Sequence, residues 1–512
     1  MFDFLFKNAL ICEGTGTPPF PGDLAVSGER IAAIGRLGPA SSRRVVNCGG
    51  LILAPGFIDV HSHSDFYLLI NPLAESKVRQ GVTTEVGGNC GYSPAPLAGE
   101  TLEERQKSWG EVYGLSIDWR DFSGYFSRLS AEGISLNFAL LVGHNTVRGS
   151  VMGGSGRPAR EEELASMVRE VEAGMAQGAL GLSTGLVYPP ACYASVEEFT
   201  ELARAARRGG GVLATHIRSE GDGLLEALEE VLRVARAASI PLQISHLKTT
   251  GQRNWGKLED AFELIEAAQG EGLDITCDRY PYTASNTSLS ALLPKWAHDG
   301  GRRAELGRLR SPGERVQIKE ALKALHPEPD YWERVRISHL ATRANKELEG
   351  LSLTEASSRQ GKPVLDALLD LLLEEEERVE VMIFSMNEDN LERILQKPYV
   401  MVASDSGAKA SYGKLGEGFP HPRGFGTFPR VLGRYVREKG LLSLPEAIRK
   451  MTFEPARRFG LKGRGRICPG AYADLVLFDP ETIMDEASYR EPHRYPSGIE
   501  LVMVNGRVTV EG

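Results

Sequence analysis

Six residues of this 512-residue chain have the types and the positions to bind a metal ion: His61, His63, Cys90, His216, His246 and Asp405. Each lies where a short apolar run gives out. His61-Ser62-His63 follows Phe57-Ile58-Asp59-Val60, and Cys90 closes Gly87-Gly88-Asn89. His216 follows Val212-Leu213-Ala214-Thr215, His246 follows Leu242-Gln243-Ile244-Ser245, and Asp405 follows Val400-Met401-Val402-Ala403-Ser404. Residues two apart on an extended chain share a face, so His61 and His63 can point together. Imidazole nitrogen, thiolate sulfur and carboxylate oxygen together suit a divalent transition metal, with zinc first in order. Alone, a strand-end histidine is more often a satisfied core residue, and a cysteine a small buried hydrophobe. It is the convergence that favours metal. Zinc lowers the pKa of bound water from 15.7 toward about 7 and polarises a carbonyl, which makes hydrolysis of an unreactive bond feasible. A carboxylate placed there can take the water's proton and deliver it to the leaving group. Asp405 is the candidate for that catalytic role; a plain ligand or a helix cap is the alternative.

These residues need elements that bring them to one place. From about 53 to 460, short apolar strands alternate with amphipathic helices. The strands fall at 57–60, 84–87, 137–142, 180–183, 212–215, 242–245, 274–277 and 400–404, with helices at 161–177, 196–208, 223–238 and 257–269 among the connections. Leu164, Met167, Val168 and Val171 keep a helical spacing. Such alternation implies parallel βα units, and eight of them a (β/α)8 TIM-like barrel. The candidate ligands then stand at the carboxyl ends of the strands, the face that carries barrel active sites. Both chain ends read as β structure, including an Asn505-Gly506 hairpin turn. The expected organisation is a small β-sandwich from 1–54 and 461–512 beside a barrel over 55–460. A segment at about 294–398, too long for one connection, reads as a rim insertion between strands seven and eight.

Composition narrows the class. Hydrophobic residues make up 42% and charged residues 25%, which disfavours disorder. A net charge of −9 without a basic stripe disfavours nucleic acid as a partner. No apolar run is long enough to span a membrane, and the start, MFDFLFKNALI, lacks the features of an export signal. Six scattered cysteines without a CxxC pair fit a reducing compartment, so a cytoplasmic location is expected.

The run Pro55-Gly56-Phe57-Ile58-Asp59-Val60-His61-Ser62-His63 resembles the opening motif of the amidohydrolase superfamily. Gly88-Asn89-Cys90-Gly91, Ser245-His246-Leu247-Lys248, Tyr280-Pro281-Tyr282-Thr283-Ala284 and the segment from His421 to Arg430 resemble the N-acyl-D-amino-acid deacylases within it. Many superfamily members bridge two metals with a carboxylated lysine on strand four. Gly181-Leu182-Ser183-Thr184-Gly185 has no lysine, and in this branch the Cys90 position fills that need. The resemblance implies a zinc-dependent enzyme acting on a small N-acyl amino acid, and the D stereochemistry comes from it alone. It implies one tightly held zinc at Cys90, His216 and His246, and a second, weaker position at His61 and His63 with Asp405 close by. It also implies that Arg423, Lys248, Tyr280 and Tyr188 contact substrate. A planar guanidinium such as Arg423 suits a carboxylate. His144, ending strand three, is read either as orienting a loop or as touching substrate. Two features depart from the pattern, a longer loop over 408–414 and Asn286 where serine is common, while Lys295 at the start of the insertion is read first as exposed and second as favouring an acidic substrate side chain. A cyclic amidase of the hydantoinase or dihydroorotase kind, a dipeptidase and a metal-free scaffold are the competing readings.

Overall fold

The structure is a computed structural model and describes residues 1–38 and 41–512. Eight parallel strands form the central barrel: Phe57–Asp59, Val82–Gly87, Asn137–Leu140 continued by Val142–Gly143, Gly181–Gly185, Val212–His216, Leu242–Ile244, Ile275–Arg279 and Val400–Val402. The third strand breaks at Leu141, and its two halves pair with strands two and four respectively. Strand eight pairs with strand seven. It closes on strand one through the Asp405 amide, which donates to the His61 carbonyl at 2.8 Å. Ile58, Val60, Val86, Ala214, Met401 and Ala403 pack together within the ring, as expected of parallel strands buried on both sides.

Helices cover the outside. Val196–Arg208 buries Phe199, Leu202, Ala203 and Ala206 on one stripe, with Ser195 capping its first turn. Leu224–Ala238 buries Leu228, Val231, Leu232 and Ala235 in the same manner. These side chains share one large core with the outer faces of the strands.

Both ends of the chain join one eight-stranded sheet. Its path runs from Arg507–Glu511 through Ile499–Val504 and Leu475–Phe478 to Ile52–Pro55, and on to Phe2–Ile11, Phe20–Ser27 and Arg30–Gly35. Ser42–Asn47 pairs with Phe2–Ile11. Phe6, Ile11, Leu24, Val26, Leu53, Leu475, Leu477 and Met503 fill the β-sandwich core.

The rim insertion begins at Ala284 rather than near 294. Ala284–Ser288 is a strand paired with Val379–Phe384, which pairs in turn with Val335–Leu340. Ala-Ser-Asn-Thr-Ser carries no apolar alternation, so nothing local marks it as a strand; partner pairing makes it one. Helices at Pro312–Leu325 and Val364–Glu374 cover this sheet, and Ile318, Leu322, Leu368, Leu372, Val335 and Val381 give the insertion its own core. Among the described residues no helix is long and apolar enough to cross a membrane.

Candidate metal and active site

His216 ends its strand, and the segments directly after the other strands place the remaining five candidate ligands. Cys90, His246 and Asp405 take positive φ values of 51°, 36° and 50°. Such angles are uncommon outside glycine and cluster where function constrains the backbone. Cys90 stands between Gly88 and Gly91, both also at positive φ. A Cβ on Gly88 would strike the Leu141 carbonyl, and one on Gly91 would run into the Asn145 side chain and the Gly185 amide. The chain around Cys90 is thus pressed against strands three and four.

Three imidazole nitrogens converge on the Cys90 sulfur. His61 Nε2 lies 3.2 Å from Sγ, His246 Nε2 3.6 Å and His216 Nδ1 3.7 Å. One thiol proton cannot serve three acceptors. A tetrahedral zinc with Zn–S of about 2.3 Å and Zn–N of about 2.0–2.1 Å separates sulfur from nitrogen by about 3.5 Å. The Cys90–His216–His246 spacings match that edge, so these donors fit zinc. A second group, His61, His63, Cys90 and Asp405, also brings its donor atoms together. Asp405 Oδ1 lies 3.2 Å from His61 Nε2 and 3.0 Å from His63 Nε2.

Carboxylates behind the imidazoles aim them. Glu220 Oε1 lies 2.8 Å from His246 Nδ1, and Glu220 Oε2 lies 3.8 Å from His216 Nε2. Lys248 Nζ also lies 2.7 Å from His246 Nδ1, so that nitrogen faces both a carboxylate and an ammonium while Nε2 is turned toward the sulfur. Asp278 Oδ1 lies 3.2 Å from His61 Nδ1, which has no aligned hydrogen-bond partner. Asp278 also accepts from the His246 amide at 2.8 Å and from Gln243 Nε2 at 2.8 Å.

The charges are strongly coupled. Burial would raise the Cys90 thiol, but His61, followed by His216 and His246, holds it well below its ordinary value. A thiolate ready for metal results. Burial pulls His63 down, yet Asp405 and Cys90 outweigh it and lift the imidazole to about 9. Burial would also raise Asp405, and Arg423, then His61 and His246, keep it well below the usual carboxylate range.

A cavity of about 1180 Å³ opens above these groups, and His63, Cys90, His216, His246, Asp405, Lys248, Tyr280, Tyr188 and Arg423 line it. Arg423 Nη1 sits 2.7 Å from Asp405 Oδ2. Its guanidinium lies 4.5 Å above the Tyr280 ring. The Tyr280 hydroxyl is buried without a partner, and Tyr188 Oη pairs with Thr287 Oγ1 at 3.1 Å. Lys248 pairs with Glu220 and donates to the His246 carbonyl at 3.1 Å. Asn286 faces the same cavity from the insertion strand.

His144 goes elsewhere. Its Nε2 lies 2.9 Å from Glu198 Oε1 and its Nδ1 3.2 Å from Thr184 Oγ1, and it is absent from the cavity wall. Arg148 joins the same Glu198, so His144 is one member of a buried clamp between the helix His144–Met152, which follows strand three, and the helix Val196–Arg208. Of its two readings, touching substrate is therefore corrected.

Sequence reasoning missed Glu220, Asp278 and Lys77. Glu220 stands four residues after His216, and Asp278, with Arg279 beside it, puts charge into a fully buried parallel strand, which is itself a signal. Lys77 is fully buried; its ammonium reaches Asp59 Oδ2 at 2.8 Å, Glu85 Oε1 at 2.8 Å, Ser404 Oγ at 2.7 Å and the Ser406 carbonyl at 2.7 Å. It ties both neighbours of Asp405 to strands one and two.

The profile of the amidohydrolase family matches residues 44–510. D-aminoacylase of Alcaligenes xylosoxydans xylosoxydans is 39% identical over 99% of this chain and 94% of its own length. The crystal structure of N-acyl-D-glutamate deacylase from Bordetella bronchiseptica, with zinc and a phosphonate mimic of the tetrahedral intermediate, is 34% identical. It superposes with a TM-score of 0.84 over 99% of this chain and 96% of that one. A D-aminoacylase solved in work on its binuclear metal centre is 36% identical, with a TM-score of 0.84 over 100% of this chain and 97% of that one. On this full-length similarity the chain belongs to the amidohydrolase family, in the branch of the N-acyl-D-amino-acid deacylases.

Proposed function

We propose that this protein is a zinc-dependent hydrolase that cleaves the amide of an N-acyl-D-amino acid to a carboxylate and a free D-amino acid. The observation that carries the reading is the Cys90–His216–His246 triad at zinc-like spacing, with the Asp405–Arg423 pair beside it. Cys90, His216 and His246 would hold the tight zinc; His61, His63 and Asp405, with Cys90, would hold a weaker second one. Bound zinc supplies Lewis acidity toward the amide carbonyl and lowers the pKa of water toward about 7. Asp405 accepts the proton of the attacking water and returns it to the amide nitrogen as the C–N bond breaks. Arg423, Lys248 and the free Tyr280 hydroxyl receive the α-carboxylate. Burial, with Cys90 next, keeps the Tyr188 phenol protonated, so it can donate toward the carbonyl oxygen.

The domain limits 1–54 with 461–512, and 55–460, belong to the same proposal. Continuous pairing of Ile52–Pro55 with Leu475–Phe478 supports them. A cytoplasmic location is likewise part of the proposal, and the six free cysteines support it.

A screen of N-acetyl-D- against N-acetyl-L-amino acids, with hydantoins and dipeptides alongside, tests the reading. D-selective deacylation is expected. Chelation abolishes it, and added zinc restores it. L-selective turnover, or ring opening of hydantoins as the main activity, would overturn it.

A further inference from the structure

One carboxylate touches two parts of the site. Glu220 lies in the loop after strand five, at the cavity wall, with its side chain mostly buried. Its Oε1 meets Lys248 Nζ and lies 2.8 Å from His246 Nδ1, and its Oε2 lies 3.8 Å from His216 Nε2. Its partners among the described residues are thus two candidate zinc ligands and one candidate substrate contact. The loop itself is held by other groups. The Thr250 amide donates to the Glu220 carbonyl at 2.7 Å. Arg253 Nε and Asn254 Nδ2 donate to Asp222, two residues on, at 2.7 and 2.9 Å. The Glu220 side chain therefore acts inside the site and not as the anchor of its loop.

Lys248 gives that carboxylate its task. The ammonium lies 2.7 Å from His246 Nδ1, while Nε2 of the same ring lies 3.6 Å from the Cys90 sulfur. An ammonium beside one nitrogen of an imidazole opposes a divalent ion held by the other, and the repulsion is strongest where water is excluded. The Lys248 side chain is only 3% exposed, so solvent screens little of it. The same lysine belongs to the carboxylate-binding side of the cavity. Its ammonium lies 5.7 Å from the centroid of the Tyr280 ring, and the Arg423 guanidinium lies 4.5 Å from it. One positive charge is thus useful to an anionic substrate and adverse to the metal. Glu220, in contact with that charge, offsets it on the metal's side.

We propose that Glu220 is the positioning residue that lets Lys248 stand beside the metal. By meeting the ammonium, His246 and His216 together, it sets the zinc affinity of the Cys90–His216–His246 position and leaves the lysine in the cavity for a substrate carboxylate. This role rests on the deacylase reading above, in which those three residues hold the tight zinc. Removing the carboxylate alone leaves a buried, uncompensated ammonium next to a ligand histidine; removing both charges leaves neither. Substitutions at the two positions therefore act on zinc with different signs, which a general loosening of the loop would not produce.

The test measures zinc affinity of the full chain by competition with a chelator of known affinity, and KM for an N-acetyl-D-amino acid at saturating zinc. Glu220→Gln is expected to weaken zinc binding by about 10–100-fold, the usual cost of losing a group that orients a ligand. Lys248→Met is expected to bind zinc at least as tightly as the wild type and to raise KM by about tenfold, the worth of one charged hydrogen bond. Lys248→Met placed on Glu220→Gln is expected to recover about fivefold or more of the lost zinc affinity. A Glu220→Gln protein with wild-type zinc affinity, a double variant no tighter than Glu220→Gln, or loss of zinc from Lys248→Met alone overturns the role of Glu220 and leaves the deacylase reading standing. An unchanged KM in Lys248→Met overturns the lysine's part in it. A wild-type chain that binds no zinc overturns both readings.

Discussion

Asp405 is held by three neighbours at once: His61 at 3.2 Å, His63 at 3.0 Å and Arg423 at 2.7 Å. Its own amide donates to the His61 carbonyl, so side chain and backbone both anchor it to strand one. Asp405→Asn keeps the shape and removes the proposed proton acceptor. It is expected to lower kcat by about 10²–10⁴, the usual worth of a positioned acid–base group. Zinc content, measured by elemental analysis, should hold near that of the wild type if Cys90, His216 and His246 carry the tight ion. Cys90→Ala should instead lose the metal, and retention of metal and activity would remove Cys90 from the site. Lys77 acts one step away from the reacting atoms, because it binds Ser404 and Ser406 on either side of Asp405. Lys77→Met strips the buried ammonium from Asp59 and Glu85 and is expected to cost about 3–5 kcal/mol of stability. At a temperature where the variant stays folded, kcat should fall more than KM rises. A Lys77→Met protein of unchanged stability and rate would refute this positioning role.

Elements explain which parts of the site were legible in the sequence. His61, His63, Cys90, His216, His246 and Asp405 all follow apolar strands, so strand periodicity marks their positions and the barrel rule supplies their common face. Glu220 reaches His246, and Asp278 reaches His61, through contacts that only the closed ring creates. Lys77 sits in the short helix Glu75–Val78, whose four residues carry no periodicity to read. His144 follows a strand as the six candidate ligands do, yet its neighbour Glu198, fifty-four residues on, turns it aside. The insertion shows the same limit: its helices were patterned, while its first strand, Ala284–Ser288, is polar and defined by pairing. The end of its helix Val364–Glu374 carries a testable charge. Burial, then Glu305, lifts Glu377 from 4.5 to about 9, although Arg302 opposes the rise. Between those two pH values the folded chain binds one proton more than the unfolded chain, so this group lowers stability as pH rises. Glu377→Gln removes that dependence. Its thermal midpoint is expected to gain on the wild type progressively as pH is raised through this window, and a constant difference between the two melts would contradict the assignment.

At the scale of the whole molecule, the sandwich and the barrel share side chains. Ile52 and Ala54 of the sheet, Phe57 and Val82 of the barrel, and Val476 and Val502 near the carboxyl end all lie in one cluster with Val402 and Phe428. Phe57 stacks on Phe428 at 5.6 Å, and Phe428 belongs to the helix Arg423–Arg430 that begins with the candidate carboxylate-binding arginine. The polar joint is as continuous. The Asp474 carbonyl accepts from the Gly56 amide at 2.8 Å, and Asn505 Nδ2 donates to Asn137 Oδ1 at 2.8 Å, linking the terminal hairpin to strand three. Removing residues 461–512 would expose the strand Ile52–Pro55 along its Leu475–Phe478 edge, and with it one face of the cluster that seats Arg423. Unpaired strand edges beside open apolar surface favour association. A chain ending at 460 is therefore expected to be insoluble or unfolded rather than an active isolated barrel. The intact chain's barrel and sandwich should melt together, seen as coincident transitions by circular dichroism and tryptophan fluorescence. A soluble, zinc-binding and active product from the shortened chain would show that the sandwich is a separable attachment and that Arg423 is seated by the barrel alone.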